Sequence, residues 1–377
     1  MPKRIVIIAG EPSGDLHASN LVREIRLLRD DIEFFGLGGS LMKKAGVEIR
    51  YDVTGLALVG LFEVLKKIFM LGKIFKNILR EIDEKGPDLA VLVDYPGFNL
   101  RLAKELKRRG IPVVYYISPQ LWAWDEGRIG IIKDAVSKMV VLFGFEEEFY
   151  KRHGVSAECA GHPLAETAKP SLHKDEVIKK YGLDPLKTTI AILPGSRRTE
   201  VVNLLPVMLD AAGLVLRKMP KIQILVARFP GVEEAVYEKE IKKRAFGVKL
   251  ITADTYNVLN ASDFAIVASG TATLETALIG TPMVIAYKGS FMNWLAFKAV
   301  VKIKDIGLVN IIAGRKVVPE FLQFDARADK LSKKVIELLS SPGETAKMKN
   351  AFSDIRASIG APGASKRAAR AVLACLK

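Results

Sequence analysis

Apolar runs of four to six residues recur along the chain, each followed by a turn rich in Gly, Pro or Ser and then by a helix-compatible stretch. In the first half they are Arg4 to Ala9, Glu33 to Leu37, Leu89 to Val93, Val113 to Ile117 and Met139 to Leu142. In the second half they are Thr189 to Leu193, Gln223 to Ala227, Val248 to Thr252, Phe264 to Ala268 and Pro282 to Tyr287. Runs that are continuously apolar, not alternating, predict strands of a parallel sheet covered on both faces. Helices are expected near Leu16 to Leu28, from Phe98, over Glu146 to Arg152, Val201 to Met219, Thr273 to Ile279 and Met292 to Val301, and at the end of the chain. Strand and helix alternate in two similar halves, which predicts an α/β protein of two doubly wound, Rossmann-like domains. The boundaries expected are 1–168 and 169–345, with helices over 346–377 packing back on the N-terminal domain. Leu308 to Arg315 and Val318 to Gln323 read as loop-and-turn segments.

One stretch departs from this rhythm. From Leu56 to Ile82 apolar residues return at helical spacing, including Leu61, Leu65, Ile68, Phe75, Ile78 and Ile82, and Phe69 and Met70 widen the stripe. Lys66, Lys67, Lys73, Lys76 and Arg80 are interleaved. Such a helix either dips a greasy, lysine-edged face into an anionic membrane surface or packs on a core with a solvated basic face. Leu61, Leu65, Ile68 and Phe69 are the candidate membrane-facing residues.

Charge sharpens the expectation about partners. The 377 residues carry 57 Lys and Arg against 42 Asp and Glu, a net charge of +15, which favours anionic partners. No aromatic-rich basic motif of an RNA-binding module is present and no zinc-ligand spacing, so neither nucleic acid nor metal is expected. Two distant cysteines, Cys159 and Cys375, fit a reducing cytoplasm. No signal peptide is apparent, and no uninterrupted apolar run is long enough to span a bilayer.

Candidate chemistry lies where strands end. Ser269-Gly270-Thr271 stops a strand and opens a helix, an arrangement that offers N–H groups and a positive helix end to phosphate. Glu275, one turn on, is placed to hold ribose hydroxyls; an ordinary capped strand–helix turn is the alternative. Pro194-Gly195-Ser196-Arg197-Arg198 sets two arginines at a second such turn, suited to a diphosphate or simply solvated. Asp94, at the end of the Leu89 to Val93 run, is a candidate general base, or else a helix cap. Gly38-Gly39 allow close approach to a ligand or form tight turns. Trp122 and Trp124 sit in a loop that suits a sugar or acyl surface, or plugs a gap. His162, alone, is read as structural.

Seven motifs in order resemble the lipid-A-disaccharide synthase family. They are Ala9-Gly10-Glu11-Pro12-Ser13-Gly14-Asp15, Asp94-Tyr95-Pro96-Gly97-Phe98-Asn99, Ser118 to Trp124, Gly161-His162-Pro163, Leu193 to Arg197, Ser269 to Glu275, and Asn310 to Arg315. The chain departs from that family at Gly97, where an aspartate often stands, which leaves Asp94 as the candidate base. The resemblance implies the glycosyltransferase B architecture, two Rossmann-like domains facing across a cleft. It implies an inverting, metal-free transfer from UDP-2,3-diacylglucosamine to 2,3-diacylglucosamine 1-phosphate, giving a β-1,6 disaccharide phosphate and UDP, with no cofactor. It also implies a cytoplasmic protein, peripheral on the inner membrane, and dimers built by exchange of C-terminal segments. Asp94 is then the base and Arg197 stabilises the leaving UDP, with Gly195, Ser196, Ser269, Gly270, Thr271 and Glu275 around the nucleotide. Asn310 and Gln323 orient the donor, and Ser13, Gly14 and Trp122 line the acceptor side. A sugar-nucleotide epimerase, a transferase for another lipid-linked acceptor and a non-catalytic nucleotide- or RNA-binding protein remain the rival readings.

Overall fold

The computed structural model describes residues 2–52, 61–121, 126–289 and 305–376, with the side chains of 61–68 and 126 left aside. The chain divides into two compact units, Met1–Pro163 with Ile359–Lys377, and Leu164–Ser358.

In the first unit seven strands form one sheet: β1 (Lys3–Ala9), β2 (Ile32–Gly38), β3 (Glu48–Asp52), β4 (Leu89–Val93), β5 (Val113–Tyr116), β6 (Lys138–Val141) and β7 (Ala157–Cys159). Their order is β3-β2-β1-β4-β5-β6-β7, and every pair is parallel. In the second unit β8 (Thr188–Leu193), β9 (Ile222–Arg228), β10 (Val248–Thr252), β11 (Phe264–Ala268), β12 (Met283–Tyr287) and β13 (Glu320–Leu322) lie in the order β10-β9-β8-β11-β12-β13, again all parallel. The apolar runs explain the burial: all five residues of β4 and of β11 are buried. Each such Leu, Ile or Val contributes about 1.5–3 kcal/mol when fully removed from water. In both sheets the strand order reverses at one pair, β1 beside β4 and β8 beside β11. Ligands of doubly wound sheets gather outside the carboxyl ends of the strands at that reversal.

Three strands escape the apolar-run pattern. β3 (EIRYD), β7 (AEC) and β13 (EFL) are short and each lies at the outer end of its sheet, where, apart from buried Ala157, the side chains are half-exposed or exposed. Leu308–Ala313, expected as loop, is a helix. The C-terminal segment also divides differently from the expected 346–377 block. The helix Pro342–Ser358 stays with the second unit, and only residues after it rejoin the first. There the helix Ala364–Leu373 packs on Pro12–Leu28. Its buried face is Ala364, Ala368, Ala369, Ala371 and Val372, small enough for a close approach. Arg367 fastens the return by donating from Nε to the Ala160 carbonyl at 2.8 Å.

One described helix, Arg198–Lys218, is long and apolar enough by composition to cross a membrane, although Glu200 and Asp210 interrupt its apolar run. It is a core helix, with Val201, Leu204, Leu205, Met208, Leu209 and Val215 buried. The basic helix Leu61–Lys85 packs on the core along its second half. Ile74, Ile78 and Ile82 are buried in the first unit's core, and the Phe75 ring meets Phe98 edge-on at 5.3 Å. Phe69, by contrast, is 80% exposed. The side chains of Leu61, Leu65 and Ile68 lie outside the described residues.

Candidate active site

The turn after β4 holds the candidate base in an unusual backbone. Asp94 and Tyr95 both have φ of 49°, in the left-handed region. For residues with a Cβ this costs on the order of 1 kcal/mol each. Hydrogen bonds hold the conformation. The Asp94 N–H donates to the Tyr116 carbonyl at 3.0 Å. The Asp94 carbonyl accepts from the Tyr115 hydroxyl at 2.6 Å and from Asn99 Nδ2 at 2.8 Å. Buried Asn99 also donates to the Val93 carbonyl, and Pro96 then starts the next helix at a position that needs no N–H. Tyr95 lies against the turn after β1. A Cβ on Gly10 would fall 2.2 Å from the Tyr95 ring, so glycine is required there.

Register explains this interlock: Ala9 pairs with Val93, so the two turns leave the sheet side by side. The neighbour this brings to Asp94 is Glu11, the residue capping the helix Pro12–Leu28. The Asp94 carboxyl is raised from 3.8 to about 6, first by burial and then by the negative charge of Glu11, against a hydrogen bond from the Tyr95 backbone. A carboxylate so placed takes up a proton near neutral pH far more readily than an ordinary aspartate. Glu11 was not singled out in the sequence; only the strand register makes it a neighbour of Asp94.

The corresponding turn in the second unit follows β11. Gly270, with φ of 145°, swings the chain into the helix Thr271–Ile279. The first-turn N–H groups, at Thr271 and Ala272, have no acceptor within the helix. Ser269 is committed elsewhere: its N–H donates to the Ala286 carbonyl at 3.0 Å and its hydroxyl to the Ile306 carbonyl at 3.3 Å. Neither proton of Ser269 is therefore left for a phosphate. Glu275, one turn on and half-buried, accepts at Oε1 from the Tyr256 hydroxyl at 2.8 Å. Burial raises its carboxyl, and the Tyr256 hydrogen bond opposes that rise.

Arg197 caps the helix Arg198–Lys218, and its side chain is 76% exposed, 3.5 Å from Glu200 Oε1. Glu200 Oε2 accepts from the N–H groups of Ser196 and Arg197 at 3.0 and 3.3 Å. The N–H groups of Ser196 and Arg197 are thus already engaged by a carboxylate, while the Arg197 guanidinium stays exposed.

A family model described as lipid-A-disaccharide synthetase matches residues 5–374. The chain belongs to that family. It is a glycosyltransferase of lipid A biosynthesis. It is similar to the lipid-A-disaccharide synthase of Syntrophus aciditrophicus, with 40% identity over 100% of this chain and 98% of that one. The Geobacter sulfurreducens lipid-A-disaccharide synthase is 39% identical, over 99% and 97%. Among solved structures, the UDP-GlcNAc 2-epimerase of Neisseria meningitidis bound to UDP-GlcNAc superposes with a TM-score of 0.63 at 13% identity, covering 99% of this chain and 100% of that one. Acinetobacter baumannii MurG gives 0.59 at 12%, with coverage of 99% and 100%. At such identities the likeness is one of fold, two Rossmann-like domains, and it is shared by epimerases and transferases alike.

For a synthase of this family, several expected contacts change role. Asn310 is buried and fully engaged. Nδ2 donates to the Val318 carbonyl and to Glu320 Oε1, both at 2.8 Å, and Oδ1 accepts from the N–H groups of Val317 and Val318. It builds the 317–320 loop and has no amide proton left for a donor sugar. Gln323 is buried and doubly bonded to the Gly289 backbone at 2.9 and 3.0 Å, which ties down the chain beyond β12. Gly14 is buried against Ala9 and the Val93 carbonyl, a packing position and not a lining one, whereas Ser13 is exposed. Gly38 and Gly39 serve a turn: the buried Asp15 carboxylate accepts from the N–H groups of Gly39, Leu41 and Met42. His162 is buried beside Phe143, and burial first, then His17, lowers it to about 3, so it stays neutral. Trp122 and Trp124 lie outside the described residues. Among the described residues no group of three His, Cys, Asp or Glu is placed to hold a metal.

Proposed function

We propose that this synthase joins UDP-2,3-diacylglucosamine to 2,3-diacylglucosamine 1-phosphate with inversion at the anomeric carbon. The observation that carries this reading is Asp94, a half-buried carboxylate raised to about 6 at the carboxyl end of β4. The acceptor 6-hydroxyl gives its proton to Asp94 as its oxygen bonds the donor's anomeric carbon. The bond from that carbon to the β-phosphate breaks, and UDP leaves with the electron pair. Charge that develops on the β-phosphate oxygen meets the exposed Arg197 guanidinium and the N–H groups opening the helix Thr271–Ile279. Glu275 takes the ribose. The test is direct: incubation with both substrates is expected to yield a disaccharide phosphate by mass spectrometry, with UDP released only when the acceptor is present. UDP-sugar interconversion without acceptor would establish the epimerase reading instead.

The acyl chains require an apolar approach, and the helix Leu61–Lys85 supports one at an anionic inner-membrane surface. Exposed Phe69 and Met70 lie on it with exposed Lys73, Lys76 and Arg80. Phe69→Ser is expected to reduce pelleting with phosphatidylglycerol vesicles; pelleting equal to wild type removes Phe69 from the contact.

A further inference from the structure

We infer that Tyr256 and Thr167 form a relay that positions Glu275 and so sets the preference of the nucleotide seat for ribose over deoxyribose. The inference rests on the reading of Glu275 as the ribose-binding group and adds to it two residues that touch no substrate.

Glu275 stands on the helix Thr271–Ile279, and Tyr256 on the neighbouring helix Thr255–Ala261. The Tyr256 hydroxyl donates to Glu275 Oε1 at 2.8 Å. A phenol has one proton, so with that proton on Glu275 the oxygen of Tyr256 acts toward its other partner as an acceptor. That partner is the Thr167 side chain, whose hydroxyl donates to it. Thr167 closes the short helix Leu164–Thr167, where the second unit begins. The chain of protons thus runs one way, from Thr167 to Tyr256 to Glu275.

Direction matters for what is left over. Both donors point toward the carboxylate, and the Tyr256 bond opposes the rise that burial causes. Oε1 is occupied, and Oε2 has no donor among the described residues. A fixed carboxylate with one open oxygen is an acceptor for vicinal hydroxyls. A carboxylate free to rotate, or one protonated, loses that selectivity, because it turns toward water or offers a proton in place of a lone pair.

Calorimetric titration with UDP and with 2′-deoxy-UDP separates this claim from its premise. Wild type is expected to bind UDP about tenfold or more tightly than 2′-deoxy-UDP, the scale of a hydrogen bond to a charged group. Glu275→Gln should bring the two ligands close together. Tyr256→Phe should weaken UDP by about fivefold while 2′-deoxy-UDP stays within about twofold; Thr167→Val should move the same way by less. If Glu275→Gln keeps the UDP preference, or wild type has none, Glu275 does not hold the ribose and the premise itself falls. If Glu275→Gln abolishes the preference but Tyr256→Phe retains it, or weakens both ligands equally, the relay is overturned and Tyr256 is merely structural.

Discussion

The turn after β4 and the turn after β11 hold the same place in their sheets and are made of opposite materials. After β4, two residues with side chains are forced into the left-handed region, and the outcome is a carboxylate with a second carboxylate, Glu11, for a neighbour. After β11, glycine takes the unusual conformation without that penalty, and the outcome is a pair of open N–H groups in a helix's first turn. The partner turns follow suit. β1 leads to Glu11, whereas β8 leads to Arg197. The same doubly wound topology therefore sets two carboxylates at the turns of one unit and a guanidinium with helix-opening N–H groups at the turns of the other, the pairing on which the proposed transfer depends. Topology fixes where chemistry happens, and a few turn residues fix its sign.

The comparison predicts that the two sites respond differently to removal of their charge. Asp94→Asn should lower turnover by about a hundredfold to ten-thousandfold, the range for a lost general base. Arg197→Ala should cost about a hundredfold or more, as for a lost oxyanion partner. Stability should separate them. The Asp94 carboxyl rises from 3.8 to about 6 on folding, so the native protein binds more protons than the unfolded chain in that window. Stability accordingly falls as pH rises through it, by on the order of 3 kcal/mol at 1.36 kcal/mol per pH unit. Asp94→Asn should therefore stabilise the protein toward urea at pH 8 and lose that advantage below about pH 4, whereas exposed Arg197→Ala should leave the urea midpoint unmoved. Asp94→Asn destabilising equally at both pH values would break the contrast. The smallest expected effect sharpens it. Glu11→Gln removes the like charge beside Asp94, so the acid limb of kcat/KM, near pH 6 in wild type, should move down by about half a pH unit, a contact of under 1 kcal/mol. An unmoved limb would leave burial as the sole cause.

The strands with continuous apolar runs were legible in the sequence because both of their faces are covered, as in β4 and β11. The edge strands β3, β7 and β13 were not, because a half-solvated strand of three to five residues carries no such signal. The site divides in the same way. Asp94 and Arg197 stand at strand ends, and a strand end can be read locally. Glu11 and Tyr256 become relevant only through pairing of distant segments, Ala9 with Val93 and the helix of Tyr256 with that of Glu275. Asn310 and Gln323 show the reverse error. An amide looks available in the sequence, and only tertiary contacts reveal that Asn310 is fully engaged and that Gln323 is paired with the Gly289 backbone.

The return of the last helix to the first unit has a consequence for how the protein comes off the ribosome. Synthesis delivers residues 1–163 first, yet the helix Pro12–Leu28, which Glu11 caps, keeps an uncovered apolar flank until Ala364–Leu373 arrives. The second unit, continuous from Leu164 to Ser358, is complete in the meantime and can fold as a whole while the chain is still being made. The unit that carries Asp94 emerges ahead of the second unit, and it acquires its final packing only after that unit has been made.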